Sequence, residues 1–285
     1  MIEEQKPNNS TETAILPMQC YVQPFWKHSD LEIYNESNLD TMSRMPDNCI
    51  DLTVTSPPYD NLRDYKGYSF EFEKMAKELY RITKEGGVIV WVVGDATIEG
   101  CETLTSFKQA IYFKEIGFSV ETMIYEKAQS CFGSNTYYLQ AFEYMFVLTK
   151  GKKPKTINHL RDRKNERSGV ESMAKGGLKK DGTKTDRHRK EMAEFGKRKN
   201  IWKYGVGGGN TGHPAVFPEQ LASDHILSWS NEGDVIYEPF AGSGTTGKMA
   251  FINKRKCIMS EISLEYCELS KQRLLPYTSN IGLFV

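Results

Sequence analysis

Residues 238–247 read EPFAGSGTTG, and the last six of them have the spacing G-x-G-x-x-G. A strand-like run, DVIYE at 234–238, leads into the glycines, and a helix-like segment that reaches Phe251 follows them. Glycine permits a tight turn and close approach of a ligand to the backbone, and the first turn of a helix offers free N–H groups. The next strand-like run, KCIMS at 256–260, ends at Glu261, where a carboxylate can accept hydrogen bonds from ribose hydroxyls. The stretch therefore predicts a strand–turn–helix that binds a nucleoside-containing cofactor. A side chain at Gly244 is expected to fill space that the ligand needs.

The loop alone leaves two points open. A glycine-rich turn beside an unrelated surface acid would produce the same letters. The spacing also does not distinguish a dinucleotide from another adenosine cofactor.

The rest of the chain alternates strand-like and helix-like segments. Apolar runs predict strands at 50–55, 88–93, 118–125, 144–148, 234–238 and 256–260. Helical spacing or capping signals predict helices at 70–84, 105–116 and 263–275, one that follows Gly247 and reaches Phe251, and one that begins at Pro218. Gly86-Gly87 is expected to end the helix at 70–84. This alternation predicts an α/β fold, a mostly parallel sheet with helices on both faces.

The 285 residues carry no net charge, but the charge is unevenly distributed. Residues 151–203 contain 18 lysines and arginines against 7 acidic residues, which leaves the remainder of the chain acidic. A basic segment inside an acidic protein favours a face that binds a polyanion. A solvated, lysine-rich loop without a partner is the alternative. We divide the chain into a mobile arm at 1–30, a catalytic half at 31–150, a basic insertion at 151–205 and a cofactor half at 206–285.

The composition, with 39% hydrophobic and 26% charged residues, excludes whole-chain disorder, collagen and a disulfide miniprotein. No apolar run has the length of a membrane span, and the polar N-terminus does not resemble a secretory signal, so we predict a cytoplasmic protein with no membrane partner. The six cysteines form no C-x-x-C pair and the histidines do not cluster with them. We therefore expect reduced, mostly buried thiols and no metal site.

A second motif, TSPPY at 55–59, follows the strand at 50–55. The two prolines fix the backbone and remove two N–H donors, which leaves carbonyl oxygens free to accept. The Ser56 hydroxyl is another acceptor and Tyr59 supplies a flat ring. The group suits a planar base whose amino group donates hydrogen bonds while its face stacks on tyrosine. Taken alone, the motif is equally compatible with a rigid turn and a half-buried tyrosine.

The motifs together resemble one family. The chain is similar to the DNA amino-methyltransferases in four successive features: VTSPPY, a basic insertion, HPAVFP at 213–218 and EPFAGSGTT. The order of these motifs resembles the β class of that family. The resemblance covers about residues 31–275 and implies a Rossmann-like, doubly wound sheet of the class I methyltransferase fold, with an antiparallel last strand and an inserted target-recognition region. It implies S-adenosyl-L-methionine as cofactor and double-stranded DNA as partner.

The resemblance assigns roles residue by residue. The catalytic motif falls on Ser56, Pro57, Pro58 and Tyr59. Cofactor binding falls on Glu238, Phe240, Ala241, Gly242, Gly244, Thr245, Thr246, Glu261, His213, Pro214 and Ala215. For His213, a loop histidine bonded to backbone is an equal alternative. Phosphate or base contacts are expected from Arg161, Arg163, Lys164, Arg187, Arg189, Lys197, Arg198 and Lys199.

The expected reaction is direct methyl transfer to an exocyclic amino group of a base that has left the duplex. Methylation at cytosine C5 normally needs a cysteine in a Pro-Cys motif, and the chain has no Pro-Cys dipeptide. In the family that the chain resembles, S-P-P-Y is commoner in N4-cytosine members and D-P-P-Y in N6-adenine members, with exceptions both ways. We therefore predict N4-methylcytosine, with N6-methyladenine as the alternative product.

Two other classes of function remain as alternatives. A nicotinamide-dependent oxidoreductase explains the glycine loop and Glu261 but neither S-P-P-Y nor the basic insertion. A catalytically silent nucleic-acid-binding protein explains the charge but does not need the loop. We expect a prokaryotic or phage-encoded enzyme that associates with the nucleoid through DNA. Its expected role is restriction-modification or epigenetic marking. A second copy of the chain and a cognate restriction endonuclease are candidate partners.

Overall fold

A computed structural model describes residues 15–19, 22–58, 71–129, 138–166, 168–169, 171–173, 180–183, 189–206 and 218–278. Contacts divide the chain into two compact units, Asn158–Asn200 and the remainder. The strands are β1 Trp26–His28, β2 Leu31–Tyr34, β3 Ile50–Thr55, β4 Thr83–Val93, β5 Thr97–Ile98, β6 Cys101–Glu102, β7 Phe118–Lys127, β8 Phe142–Lys150, β9 Arg163–Lys164, β10 Glu171–Met173, β11 Arg189–Glu191, β12 Phe195–Gly196, β13 Ile201–Tyr204, β14 Val235–Glu238 and β15 Lys256–Ser260. The helices are α1 Asn38–Arg44, α2 Phe72–Ile82, α3 Thr105–Glu115, α4 Glu219–Trp229, α5 Thr245–Ile252 and α6 Leu264–Thr278.

The larger unit is built on one sheet with the order β1-β2-β15-β14-β3-β4-β8-β7-β13. Five neighbouring strands of this sheet are parallel to one another, in the order β2, β15, β14, β3 and β4. Helix α2 contacts α1 and α3, and α5 contacts α4 and α6, which gives two helix layers, one for each face of the sheet. The predicted doubly wound α/β fold is confirmed. Its antiparallel interior strand is β8, between β4 and β7, so it is not the last strand along the chain as the resemblance implied.

The apolar spacing of the sequence explains the core. Met75, Leu79 and Ile82 make one buried stripe on α2, as the i, i+4, i+7 pattern predicts. Ile89 and Trp91 of β4 belong to the same hydrophobic cluster as this stripe. Strand β4 is buried from Gly87 to its end because helices cover both faces of the sheet.

Several predicted boundaries differ from the structure. Gly86-Gly87 does not end α2, which stops at Ile82; the pair lies inside β4. Gly86 has φ +76° and its carbonyl accepts a hydrogen bond from the Lys155 N–H at 2.8 Å, so glycine permits a close approach of residue 155. Pro218 is the cap residue of α4, with ψ 134°, and not its first helical residue.

The N-terminal arm predicted at 1–30 is too long. Trp26–His28 forms β1, an antiparallel edge strand on β2. Leu16 is buried, and the Ile15 N–H donates to the Glu32 carboxylate at 3.1 Å. The sequence pattern missed this part because short edge strands and single packed residues have no periodicity.

The basic insertion is a small unit of its own, narrower than the predicted 151–205. It comprises residues 158–200 and contains two antiparallel ribbons, β9 with β12 and β10 with β11. Residues 201–204 form β13, which pairs in parallel with β7 of the large sheet. None of the helices that the structure describes has the length and apolar character needed to cross a membrane.

Candidate active site

The two motifs meet at one edge of the sheet. Strands β3 and β14 are parallel neighbours, with Leu52 opposite Ile236 and Thr53 opposite Tyr237. Ser56-Pro57-Pro58 leaves the end of β3, and the glycine loop leaves the end of β14. Because the carboxyl ends of parallel strands share an edge, the topology brings together segments about 180 residues apart. Pro57 is buried and Ser56 and Pro58 are half-buried.

Some predicted site residues lie outside the described ranges. They are Tyr59 of the catalytic motif, His213, Pro214 and Ala215 of the segment before α4, and Arg187 of the insertion. Their assignments stay predictions.

The glycine loop is a tight turn that leads into α5. Gly242 and Gly244 have φ +49° and +75°, and the Gly244 N–H donates to the Ala241 carbonyl at 2.7 Å. Left-handed φ values favour glycine because other residues are strained there. The loop is held at both sides, since Ser270 Oγ on α6 donates to the Gly242 carbonyl at 2.7 Å and the Ala241 N–H donates to the Ser260 carbonyl at 3.0 Å.

The expectation for a side chain at Gly244 stays a prediction, but the structure shows that such a side chain would also meet the protein itself. A Cβ atom built there would lie 3.1 Å from both Cβ and Oγ of Ser270. It would therefore press on helix α6. A substitution at Gly244 would strain the backbone and the packing, so it does not isolate cofactor binding.

Glu261 lies beside the loop, as the sequence predicts. Its Oε2 accepts the Gly242 N–H at 2.8 Å and its Oε1 accepts the Ser263 N–H at 2.9 Å. Burial raises the pKa of this carboxyl above its ordinary value, while hydrogen bonds from backbone N–H groups oppose the rise. Each oxygen keeps a second lone pair, so the group can also accept from ribose hydroxyls.

Glu238 occupies a different place from the one expected of a cofactor ligand. It is 2% exposed, and its Oε1 accepts hydrogen bonds from the Thr55 hydroxyl and, at 3.0 Å, from the Phe240 N–H. Its Oε2 accepts the Thr246 hydroxyl at 2.7 Å. Burial raises the pKa of Glu238 to about 8. The carboxyl group joins the end of β3 to the cofactor loop, and we correct its assigned role accordingly.

Thr245 and Thr246 also direct their side chains into the protein. Thr246 bonds to Glu238, and Thr245 Oγ1 accepts a hydrogen bond from Arg273 at 3.0 Å. Both threonines are buried. They can therefore offer a ligand their backbone N–H groups at the start of α5. The half-buried Phe240 and the buried Ala241 lie beside these groups.

Arg273 is a site residue that the sequence pattern did not reveal. Its Nη1 donates to the Ser243 carbonyl at 3.1 Å and to Ser243 Oγ at 2.8 Å, and its Nη2 pairs with Glu219 at the start of α4. It thus ties the loop to α4 and α6. The available signal was a polar pair at helical spacing, Ser270 and Arg273, on a helix that otherwise buries Cys267 and Leu274.

The basic residues of the insertion differ in their contacts. Arg198 pairs with Asp162, and Arg163 Nε donates to the Lys197 carbonyl at 3.2 Å, so these two arginines stabilise the small unit. Arg189 pairs through its backbone with Met173 in the β10–β11 ribbon. Exposed cationic residues of this unit also include Arg161, Lys164, Lys197 and Lys199.

The described residues contain no cluster of three histidine, cysteine or acidic side chains able to hold a metal ion. Cys49, Cys257 and Cys267 are buried free thiols, whereas Cys101 is exposed. The expectation of buried thiols therefore holds for three of these four cysteines.

Comparison with known proteins decides the family. A model for DNA methylases of the N6 and N4 type matches residues 50–272, which include both motifs and the insertion. The chain belongs to this DNA methylase family. It is a DNA methyltransferase that uses S-adenosyl-L-methionine and has the class I methyltransferase fold.

Individual relatives agree with this result. The orphan methyltransferase M.BamHII of Bacillus amyloliquefaciens is 57% identical over 238 residues, which cover 80% of this chain and 89% of that protein. The cytosine-N4-specific PvuII DNA methyltransferase is similar in structure, with a TM-score of 0.64 and 19% identity over 91% of this chain and 95% of the other. A DNA modification methylase of Thermus thermophilus in complex with S-adenosyl-L-methionine has a TM-score of 0.59 and 22% identity, over 88% and 95% of the two chains.

The geometry of the loop fits this cofactor. Two left-handed glycines bring the backbone close to a ligand, the start of α5 offers N–H groups to a carboxylate, and Glu261 keeps acceptor capacity for ribose hydroxyls. S-adenosyl-L-methionine supplies a methyl group on a positively charged sulfur.

Proposed function

We propose that the protein methylates the exocyclic N4 amino group of cytosine in double-stranded DNA. The observation that carries the proposal is the serine at the head of the motif at 56–58, at the end of β3 and beside the cofactor loop. Within the family that the motif resembles, serine at this position is commoner in N4-cytosine enzymes. The structural similarity to a methyltransferase named as cytosine-N4-specific supports the same choice.

The residues of the motif explain how the amino group becomes reactive. Its nitrogen is a weak nucleophile because its lone pair is delocalised into the ring. Ser56 Oγ and the Pro57 carbonyl accept its hydrogens and so turn the lone pair towards the methyl group. The N–C bond forms as the S–C bond breaks, the electron pair stays on sulfur, and the surplus proton of the nitrogen goes to solvent. Orientation and the exclusion of water supply most of the rate gain.

Tyr59 and the insertion complete the proposal. The Tyr59 ring stacks on the base after it leaves the duplex, and the basic residues of the unit at 158–200 bind DNA phosphates. The mark serves restriction-modification or epigenetic marking, in keeping with a relative named as an orphan methyltransferase.

Product analysis tests the choice of base. DNA methylated by the purified enzyme is digested to nucleosides and examined by mass spectrometry, with a Ser56→Ala variant as the control. We expect N4-methylcytosine from the wild type and strongly reduced product from the variant. N6-methyladenine would overturn the base assignment, and 5-methylcytosine would overturn the mechanism, because the motif provides no covalent nucleophile.

A further inference from the structure

A single buried carboxyl group connects the two halves of the active site. Glu238 accepts hydrogen bonds from three parts of the chain: the Thr55 hydroxyl at the end of β3, the Phe240 N–H in the loop, and the Thr246 hydroxyl in the first turn of α5. Thr55 and Thr246 are themselves buried. We call Thr55, Glu238 and Thr246 the carboxyl brace.

The brace holds whether or not Glu238 carries a proton. Thr246 Oγ1 lies 2.7 Å from Glu238 Oε2 and 3.0 Å from the Val54 carbonyl. When the acid is ionised, the Thr246 hydroxyl donates to it. When the acid is neutral, Glu238 donates to Thr246, whose own hydrogen then goes to Val54. In both states Oε1 keeps the Thr55 hydroxyl and the Phe240 N–H.

Thr55 is the residue immediately before Ser56. A bond that fixes the Thr55 side chain therefore fixes the point from which the catalytic motif leaves the strand. The same carboxyl group fixes the first turn of α5 and the loop that precedes it. Methyl transfer needs the two reacting atoms in line, and a misplacement of about 1 Å costs about 100-fold in rate.

We propose that Glu238 and Thr55 are positioning residues that set the distance between the Ser56–Pro58 motif and the bound cofactor. In this role Glu238 acts through the protein and not by direct contact with the cofactor. The inference rests on the proposed catalytic role of Ser56–Pro58 but does not depend on which base is methylated.

The test removes one hydroxyl group. Thr55→Val keeps the shape of the side chain and its preference for a strand but deletes the donor to Glu238. We expect kcat at saturating cofactor and DNA to fall at least about 10-fold, because the motif loses its fixed position. We expect the dissociation constant for S-adenosyl-L-methionine, measured by calorimetry, to change less than about 2-fold, since the loop keeps its bonds from Phe240 and Thr246. Thr55→Ser restores the hydroxyl and is expected to recover most of the lost turnover.

Thr53→Val is a matched control. Thr53 lies two residues earlier on the same strand and is as fully buried, but its hydroxyl has no hydrogen-bond partner among the described residues. We expect its kcat and its melting temperature to stay near those of the wild type. A Thr55→Val enzyme that turns over like Thr53→Val would overturn the proposal, as would a loss of cofactor affinity in proportion to kcat or a failure of Thr55→Ser to recover turnover.

Total methyl transfer to DNA is the quantity measured, so a wrong choice of base leaves this test intact. Ser56→Ala is assayed alongside. A Ser56→Ala variant with wild-type kcat would contradict the catalytic assignment and, with it, the brace that positions the motif.

Discussion

At the scale of single residues, burial decides what the acidic groups of the site do. Glu238 and Glu261 end neighbouring strands, and both have a pKa raised by burial. Glu261 keeps open acceptor positions beside the loop, whereas Glu238 is enclosed by protein donors. Two acids that look alike in the sequence thus have different tasks.

The raised pKa of Glu238 predicts a pH-dependent stability. In the folded state the pKa is about 8, and in the unfolded chain it returns to its ordinary value of 4.5. Between these values the folded state holds a proton that the unfolded state has lost, so the contribution to stability is full below about pH 4.5 and is lost as pH rises through 8. Glu238→Gln cannot titrate. We therefore expect the free energy of unfolding of the wild type, relative to the variant, to fall by about 1 kcal/mol per pH unit across this window.

Urea denaturation of both proteins at intervals between pH 5 and 9 measures this difference. The titratable groups next to Glu238 are Glu261, Tyr237 and Cys257, and all three are present in both proteins. Parallel pH curves would show that Glu238 does not stay protonated in the fold.

At the scale of elements, the start of α3 shows how a helix end is satisfied from a distance. Leu104, its cap residue, has φ +54° and no side-chain hydrogen bond to the helix. Asp95, at the end of β4, takes this role, since it accepts the Ser106 N–H at 2.8 Å and the Ser106 hydroxyl. Asp95 therefore connects the carboxyl edge of the sheet to α3.

Replacing Asp95 with alanine leaves two buried donors of Ser106 without their acceptor. We expect the free energy of unfolding to fall by about 1–3 kcal/mol, measured by urea denaturation. Asp40→Ala is the control, because Asp40 lies in the first turn of α1 but is exposed, and we expect a loss of about 0.5 kcal/mol. Equal losses in the two variants would rule out the capping role of Asp95.

At the scale of the whole molecule, the charge separation seen in the sequence corresponds to a structural boundary. Residues 158–200 hold 14 lysines and arginines against 7 acidic residues and form a separate compact unit. A DNA methyltransferase needs a cationic surface for phosphates, and we expect this unit to provide it.

Exposed lysines of this unit are expected to set the salt dependence of DNA binding. A Lys164→Gln/Lys197→Gln double variant should bind DNA more weakly, and the slope of log K against log salt should decrease by about 1 for each phosphate that the variant no longer neutralises. The control is the Lys114→Gln/Lys254→Gln double variant, which removes the same charge from two exposed lysines. Lys114 lies in the last turn of α3 and Lys254 just before β15, both away from the carboxyl edge of the sheet. Fluorescence anisotropy at several salt concentrations measures both. If the two double variants change the slope equally, the effect is one of net charge and the small unit has no special part in binding.

Much of the fold could be predicted because its signals are local. The stripe of Met75, Leu79 and Ile82 and the apolar run at 88–93 each follow from a repeat within about a dozen neighbouring residues. Elements without a repeat were missed, as β1 and β13 show, because two to four residues contain no full period. The end of α2 was misplaced because Gly86 serves a contact with Lys155, about 70 residues later in the chain.

By itself the sequence determined the order of the longer strands and helices from residue 50 onward, the turn at Gly242 and Gly244, the Ser56-Pro57-Pro58 segment that follows a strand, and the basic segment between the two halves. These depend on spacing, on φ preference and on charge, which are properties of neighbouring residues. Only the tertiary structure decided that Glu238 bonds to Thr55, that Arg273 holds the loop, and that a side chain at Gly244 would meet Ser270. The physical reason is that a hydrogen bond or a steric contact depends on distance in space. Folding brings together groups that lie far apart along the chain.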